Sequence, residues 1–242
     1  MSEVILKLDN ICKSFGAVEV LRGISLDVKR GGFVALVGPS GCGKTTLLNL
    51  MSGYEIPTSG TLKRNEAGHM VYQQDGLFPW RTAAQNIELG LQTVPEQTVR
   101  ERDLREILEL IGLNGFGDHY PHQLSGGMRQ RVELARALVG GNNLLLMDEP
   151  FSSLDYITRL RMRREFARLL EERPRTVILV THDIEEAAQM ADRVIVLTER
   201  PAQIRCERRI DLPRPRDLTH PDVIHTIHTV LAEMGLEGQG KE

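Results

Sequence analysis

The sequence predicts an α/β fold with a largely parallel sheet, and three observations carry that prediction. Short apolar runs alternate with helix-patterned segments, a glycine-rich loop follows one of those runs, and another run ends in two adjacent carboxylates. Val4 to Ile11 and Val18 to Val28 alternate apolar and polar residues about a turn at Ser14-Phe15-Gly16, the pattern of antiparallel strands. Phe33 to Val37 is continuously apolar and reads as a buried parallel strand. Thr45 to Met51 reads as a helix, and Thr61 to Gln74 as two short strands. Val99, Leu104, Ile107, Leu108 and Ile111 share one helical face. A further helix follows Gly127. The remaining elements are a strand over Asn143 to Asp148, a long charged helix over Asp155 to Glu172, and a strand over Thr176 to Thr181. A helix over Asp183 to Met190 and a strand over Arg193 to Leu197 complete the alternation. From Pro213 the chain is a tail: Pro-Arg-Pro-Arg-Asp, a short amphipathic helix, and glycine-rich residues expected to fray.

The 242 residues suffice for one large domain, and the composition, 41% hydrophobic and 26% charged, is that of a folded cytosolic protein. A net charge of -3 argues against a general nucleic-acid binder. The arginines Arg159, Arg161, Arg163, Arg164 and Arg168 read as a solvated helix face, and His220, His225 and His228 complete no metal pattern. Cys12, Cys42 and Cys206, odd in number and far apart, read as reduced thiols. The segment MSEVILKLDN is broken by Lys7 and Asp9 and is not expected to act as a signal peptide. No run approaches the roughly 18 apolar residues of a membrane span.

Gly38-Pro39-Ser40-Gly41-Cys42-Gly43-Lys44-Thr45 fits the phosphate-binding pattern G-x-x-x-x-G-K-[ST] between a predicted strand and helix. Glycines let successive backbone N–H groups turn into one cavity, where they and the helix N-terminus hold phosphate oxygens. Lys44 adds a charge for the β and γ phosphates, and the Thr45 hydroxyl can ligate Mg²⁺. Asp148 and Glu149 end the apolar strand that begins near Leu144. Asp148 suits the Mg²⁺ shell, and Glu149 suits orienting an attacking water. Ser125-Gly126-Gly127 opens a helix bearing Met128, Val132, Ala135 and Val139 on one side, which is an anion-binding helix start.

Leu124-Ser125-Gly126-Gly127-Met128-Arg129-Gln130-Arg131, lying between the phosphate loop and the acidic strand, resembles the signature of the ABC ATPases, with Met128 in the usual glutamine position. The resemblance runs from about Leu6 to Leu212. It implies a P-loop NTPase ABC-type nucleotide-binding domain with a RecA-like core, a trimmed antiparallel β-subdomain and a helical signature subdomain. The trimming follows from the short interval Thr61 to Met70. One domain is expected over 1–242, with the helical subdomain at about 75–140 and the tail at 213–242. Further roles come from the resemblance. Phe15 is the aromatic against adenine. Gly38, Ser40, Gly41, Cys42, Gly43, Lys44, Thr45 and Thr46 are nucleotide contacts, joined by Ser125, Gly126, Gly127 and Asp155 across a dimer. Gln73 links γ-phosphate and metal to the membrane partner, Ser153-Leu154-Asp155 crosses between protomers, and His182 touches the γ-phosphate. Catalysis falls to Glu149, His182 and Gln73, and the metal to Thr45, Gln73 and Asp148.

These roles imply MgATP hydrolysis by a head-to-tail homodimer docked on integral membrane permease subunits at the cytoplasmic face of the bacterial inner membrane. A periplasmic or lipid-anchored solute-binding protein would act with them, and nucleic acid is not an expected partner. A non-transport ABC protein acting on nucleic acid or ribosomes would carry a coiled-coil insertion or a second nucleotide domain, and neither pattern is present. Asp75-Gly76-Leu77-Phe78-Pro79-Trp80-Arg81-Thr82 and Leu212-Pro213-Arg214-Pro215-Arg216-Asp217 resemble the nitrate, sulfonate and taurine importers, the former leaning to taurine. Leu77, Phe78, Pro79 and Trp80 either plug the local core or, as the resemblance implies, form a docking patch for the permease, and Cys42 is expected to be sensitive to thiol reagents.

Overall fold

The computed structural model describes residues 3–72, 76–141, 143–152 and 154–236. In chain order the elements are β1 (Val4–Phe15), β2 (Val18–Lys29), β3 (Phe33–Val37), α1 (Lys44–Ser52), β4 (Ser59–Arg64) and β5 (Gly68–Val71). They continue with α2 (Ala83–Glu88), α3 (Gln97–Leu110), α4 (Gly126–Val139), β6 (Leu144–Asp148), α5 (Tyr156–Glu172) and β7 (Thr176–Val180). The last four are α6 (Ile184–Met190), β8 (Arg193–Leu197), β9 (Ile204–Arg209) and α7 (Pro221–Glu233). The chain divides into two compact units, one formed by 1–67 with 175–242 and the other by 68–174.

In the first unit β2, β1 and β4 form an antiparallel sheet in that order. The hairpin runs from Val4 opposite Lys29 to Phe15 opposite Val18. It extends beyond the apolar alternation because Lys13, at an inward position, is satisfied: its Nζ donates to Glu55 Oε2 at 2.7 Å and to the Ile56 carbonyl at 2.9 Å. The second sheet of this unit places parallel strands β7, β3 and β8 side by side, with β9 antiparallel to β8 at the edge. Every residue of β3 and β7 is buried, which is why both read as unbroken apolar runs. Arg216, expected in the tail, is buried here. Its guanidinium donates to the carbonyls of Ala188, Ile210 and Leu212 at 3.3, 3.0 and 2.8 Å, docking the tail on α6 and the end of β9.

In the second unit β5 pairs in parallel with β6, Gly68 opposite Leu144 through Val71 opposite Met147. Of the two strands expected in 61–74, only β4 therefore extends the antiparallel sheet. α2 and α3 pack against α4. On α5 the five arginines are not one solvated face: Arg163 is only 1% exposed beside buried Met162 and Phe166, because helical spacing carries it round to the apolar stripe. No helix among the described residues is long and apolar enough to cross a membrane.

Candidate nucleotide site

In the first unit, Gly38 to Thr45 joins buried β3 to α1. α1, like α3, has no side-chain cap on its first N–H groups, but only α1 follows a glycine-rich loop, so its open donors and the loop's N–H groups lie together. Gly43 has φ +121°, and a Cβ there would lie 2.8 Å from Val20 Cγ1 and 3.0 Å from Leu21 Cδ2, so only glycine lets β2 close against the loop. Lys44 is 7% exposed, and its Nζ donates to the carbonyls of Gly38 at 2.8 Å and Pro39 at 2.9 Å. The ammonium is held inside the loop, in place for phosphate oxygens. Ser40, Gly41 and Thr45 are exposed and Thr46 is half-buried.

Cys42 is buried against this loop, and burial pushes its thiol up despite the opposing charge of Lys44. Burial and suppressed ionisation both work against the expected sensitivity to thiol reagents. Phe15, at the end of β1, is 47% exposed, with Lys13 Nζ 4.6 Å from its ring centre. His182 is exposed between β7 and α6. Its neighbours are fixed: Thr181 Oγ1 donates to Glu186 Oε2 at 2.7 Å, and Asp183 Oδ1 accepts from the Glu186 N–H at 3.0 Å. A cavity of about 780 Å³ in the same unit, lined by Lys7, Asp27, Arg193 and Glu207 among others, holds none of these residues.

In the second unit, β6 delivers buried Asp148 and then Glu149, whose φ of 48° is the left-handed region that a non-glycine residue seldom takes. The turn is held there by its surroundings. The Ser152 hydroxyl donates to the Glu149 carbonyl at 2.9 Å, and the Phe151 ring packs edge-on against Phe166 of α5, centroids 6.2 Å apart. Ser125 caps α4, its hydroxyl accepting from the Met128 N–H at 3.3 Å. Asp155 caps α5, accepting from the Thr158 N–H at 3.1 Å. The Thr158 hydroxyl beside it holds the Asp155 carboxyl below its usual range. Both caps open on one cleft of about 430 Å³, lined by Ser125, Gly126, Gly127, Leu154, Asp155 and Thr158 with Met128 and Arg131. The sequence grouped Ser125 and Asp155 only through the resemblance; in the structure they line one cleft. Gln73 and Ser153 lie outside the described residues.

Three contributors carried no motif. Arg136 of α4 donates to the Gly76 carbonyl at 2.9 Å, beside buried Glu133 at 3.6 Å. Asn86, fully buried, accepts from the Phe78 N–H at 2.8 Å and donates to the carbonyls of Phe78, Arg81 and Thr82 at 3.2, 3.1 and 3.0 Å. It fixes the loop so that Trp80 stands 69% exposed, its ring 5.3 Å from that of Phe78. Leu77, by contrast, is buried and leaves the expected patch. Thr158 had no signal beyond helical spacing from Asp155.

A glycine-rich phosphate loop between a buried strand and an uncapped helix, in a unit of parallel strands, defines a P-loop nucleotide-binding protein. The family model described as ABC transporter matches residues 21–152, and the chain belongs to that family. It is 38% identical to the aliphatic sulfonates import ATP-binding protein SsuB 1 of Agrobacterium fabrum, over 96% of this chain and 84% of that one. It is 41% identical to the nitrate import ATP-binding protein NrtC of Synechococcus elongatus, over 88% of this chain but 35% of that longer one. Among solved structures it is similar to the dimeric ATP-binding cassette MJ0796 bound to ADP and Pi. The TM-score is 0.71 and the identity 32%, over 84% of this chain and 98% of that one.

Proposed function

We propose that this chain is the ATPase subunit of a bacterial ABC importer for small anions, with sulfonates the first substrates to test. The relatives named for sulfonate and nitrate import support the anion class. Taurine, itself a sulfonate, belongs in the same test. The observation that carries the ATPase reading is the pair of capped helix starts, Ser125 and Asp155, sharing one open cleft in a chain that also holds a complete phosphate loop. One copy of each motif makes a second copy the simplest partner. The two protomers would pair head to tail, and the dimeric form of the similar cassette supports that arrangement.

The roles follow residue by residue. Gly38 to Thr46 hold the phosphates through backbone N–H groups and Lys44, and Phe15 stacks on the adenine. Ser125, Gly126 and Gly127 donate to the γ-phosphate of the facing protomer, with Asp155 beside them. Glu149 orients the water, its left-handed backbone fixing where the carboxylate starts, and His182 and Gln73 contact the γ-phosphate. Mg²⁺ fits the donor set. Thr45, Asp148 and Gln73 would supply the protein's oxygens, a hydroxyl, a carboxylate and an amide carbonyl. That sparse set suits a cation that keeps waters and substrate phosphates as ligands. When bound, Mg²⁺ would neutralise charge on the phosphates.

In this reading the chain sits peripherally on permease subunits at the inner membrane, and a solute-binding protein delivers the substrate. Phe78 and Trp80, presented by Asn86, are the proposed permease contact. Uptake by the whole complex of labelled taurine, alkanesulfonates and nitrate tests the substrate class. Failure of all three to enter in an ATP-dependent way would overturn it.

A further inference from the structure

The loop that joins β8 to β9 lies against the phosphate loop. Its residues are held on two sides. Within the turn, the Thr198 N–H donates to the Gln203 carbonyl at 3.0 Å, and the Gln203 N–H donates to Thr198 Oγ1 at 3.0 Å. Outward, the Ala202 N–H donates to the Val20 carbonyl at 2.8 Å, and the Arg22 N–H to the Ala202 carbonyl at 3.0 Å. Val20 is also the residue that meets Gly43, so the loop and the phosphate cradle share one wall. From this anchored turn Arg200 extends to the cradle, and its guanidinium donates to the Gly41 carbonyl. Among the described residues that side chain makes no other hydrogen bond or ion pair. Its charge is felt at Cys42, one residue on, where it opposes the rise caused by burial.

The geometry points to Arg200 as a positioning residue of the nucleotide site, a second cation at the rim of the phosphate loop. Two effects follow from its place. First, Gly41 has φ +73°, and a carbonyl tied to Arg200 holds that left-handed turn, which sets the direction of the neighbouring N–H groups. Second, Lys44 charges the floor of the cradle from a buried position, while exposed Arg200 charges its lip. A guanidinium at the lip attracts a polyphosphate through a field that salt screens, whereas the buried ammonium is screened much less.

The proposal rests on the phosphate loop holding nucleotide, and the experiment separates the two. The full chain and its Arg200→Ala, Arg200→Lys and Lys44→Ala variants are titrated with MgADP at low and high salt, after thermal melting without nucleotide. One charge-assisted hydrogen bond at an exposed position predicts about 3- to 10-fold weaker MgADP binding for Arg200→Ala at low salt, narrowing at high salt. Arg200→Lys recovers part of the loss, because charge is kept and the fork is not. In steady state, KM for MgATP rises by a similar factor and kcat changes less. Native affinity in Arg200→Ala overturns the proposal. So does a lowered melting temperature with unchanged affinity, the mark of a purely structural staple. If Lys44→Ala, still folded, also bound MgADP normally, the nucleotide site itself would be misassigned.

Discussion

The two glycine-rich turns of this protein are built in opposite ways. The phosphate loop is closed upon itself: Gly43 touches β2, Lys44 is buried, and the loop's own carbonyls hold its charge. The turn at Ser125 to Gly127 is open. Ser125 and Gly126 are exposed, and the nearest atom to a Cβ on Gly126 would be Arg129 Nη2, 3.9 Å away. A closed turn is shaped by its own chain and is ready for a ligand alone. In the proposed dimer, the open turn would meet the nucleotide held by a second copy. Substitutions that separate folding, binding and turnover put this contrast at risk.

Between the two turns, the larger effect on turnover is expected at the open one. Gly126→Asp has room and a negative φ, so its melting temperature should stay near that of the native chain. A carboxylate facing the γ-phosphate should nonetheless lower ATP turnover about 100-fold, by removing stabilisation of the transferring group and adding repulsion. MgADP binding by the single chain should be unchanged. Turnover within a factor of two of native would show that this turn does not face nucleotide.

At the closed turn the order reverses. Gly43→Ala forces a left-handed backbone and a contact of 2.8 Å with Val20, so nucleotide affinity should fall about 10-fold and stability by about 1–3 kcal/mol. Isothermal titration and chemical denaturation read the two together. Native-like values of both would mean that the cradle is not closed as described.

A smaller effect is expected at the loop that Asn86 holds. Trp80→Ala removes an exposed ring, so the isolated chain should melt within about 2 °C of native, because surface changes are worth about 0.5 kcal/mol or less. Pull-down by the permease should fall several-fold. A large drop in melting temperature with unchanged pull-down would make Trp80 a packing residue.

Most of the core was legible in the sequence because it was written in unbroken apolar runs: β3, β6 and β7 appeared within a residue of their ends. The phosphate loop, the acidic strand end and the helix starts at Ser125 and Asp155 were legible because glycine, lysine and capping residues are tied to local backbone chemistry. β9 was missed because Ile-Arg-Cys-Glu-Arg-Arg has no alternation. It is an edge strand held to β8 by its antiparallel ladder and by the ion pair of Glu207 with Arg193 at 2.8 Å. α2 was missed because six residues give no periodicity, although Thr82-Ala83-Ala84-Gln85 is a capping box and could have announced it. Arg136 and Arg200 carried no assignment, and Arg163 was wrongly read as part of a solvated face. An arginine's side chain reaches far enough that its partner is set by tertiary packing, and one sits on a loop carbonyl, another in an apolar stripe and the third on the phosphate loop.

If the closed turn binds ATP alone and the open turn acts only across two copies, hydrolysis and dimerisation can be separated at one residue. Glu149→Gln tests it most directly. The change should cut turnover about 100- to 10,000-fold by removing the water's carboxylate partner, while the phosphate loop stays intact. Sedimentation of this variant should then give a monomer without nucleotide and a dimer with saturating MgATP. A species that stays monomeric while titration shows MgATP bound would contradict the account.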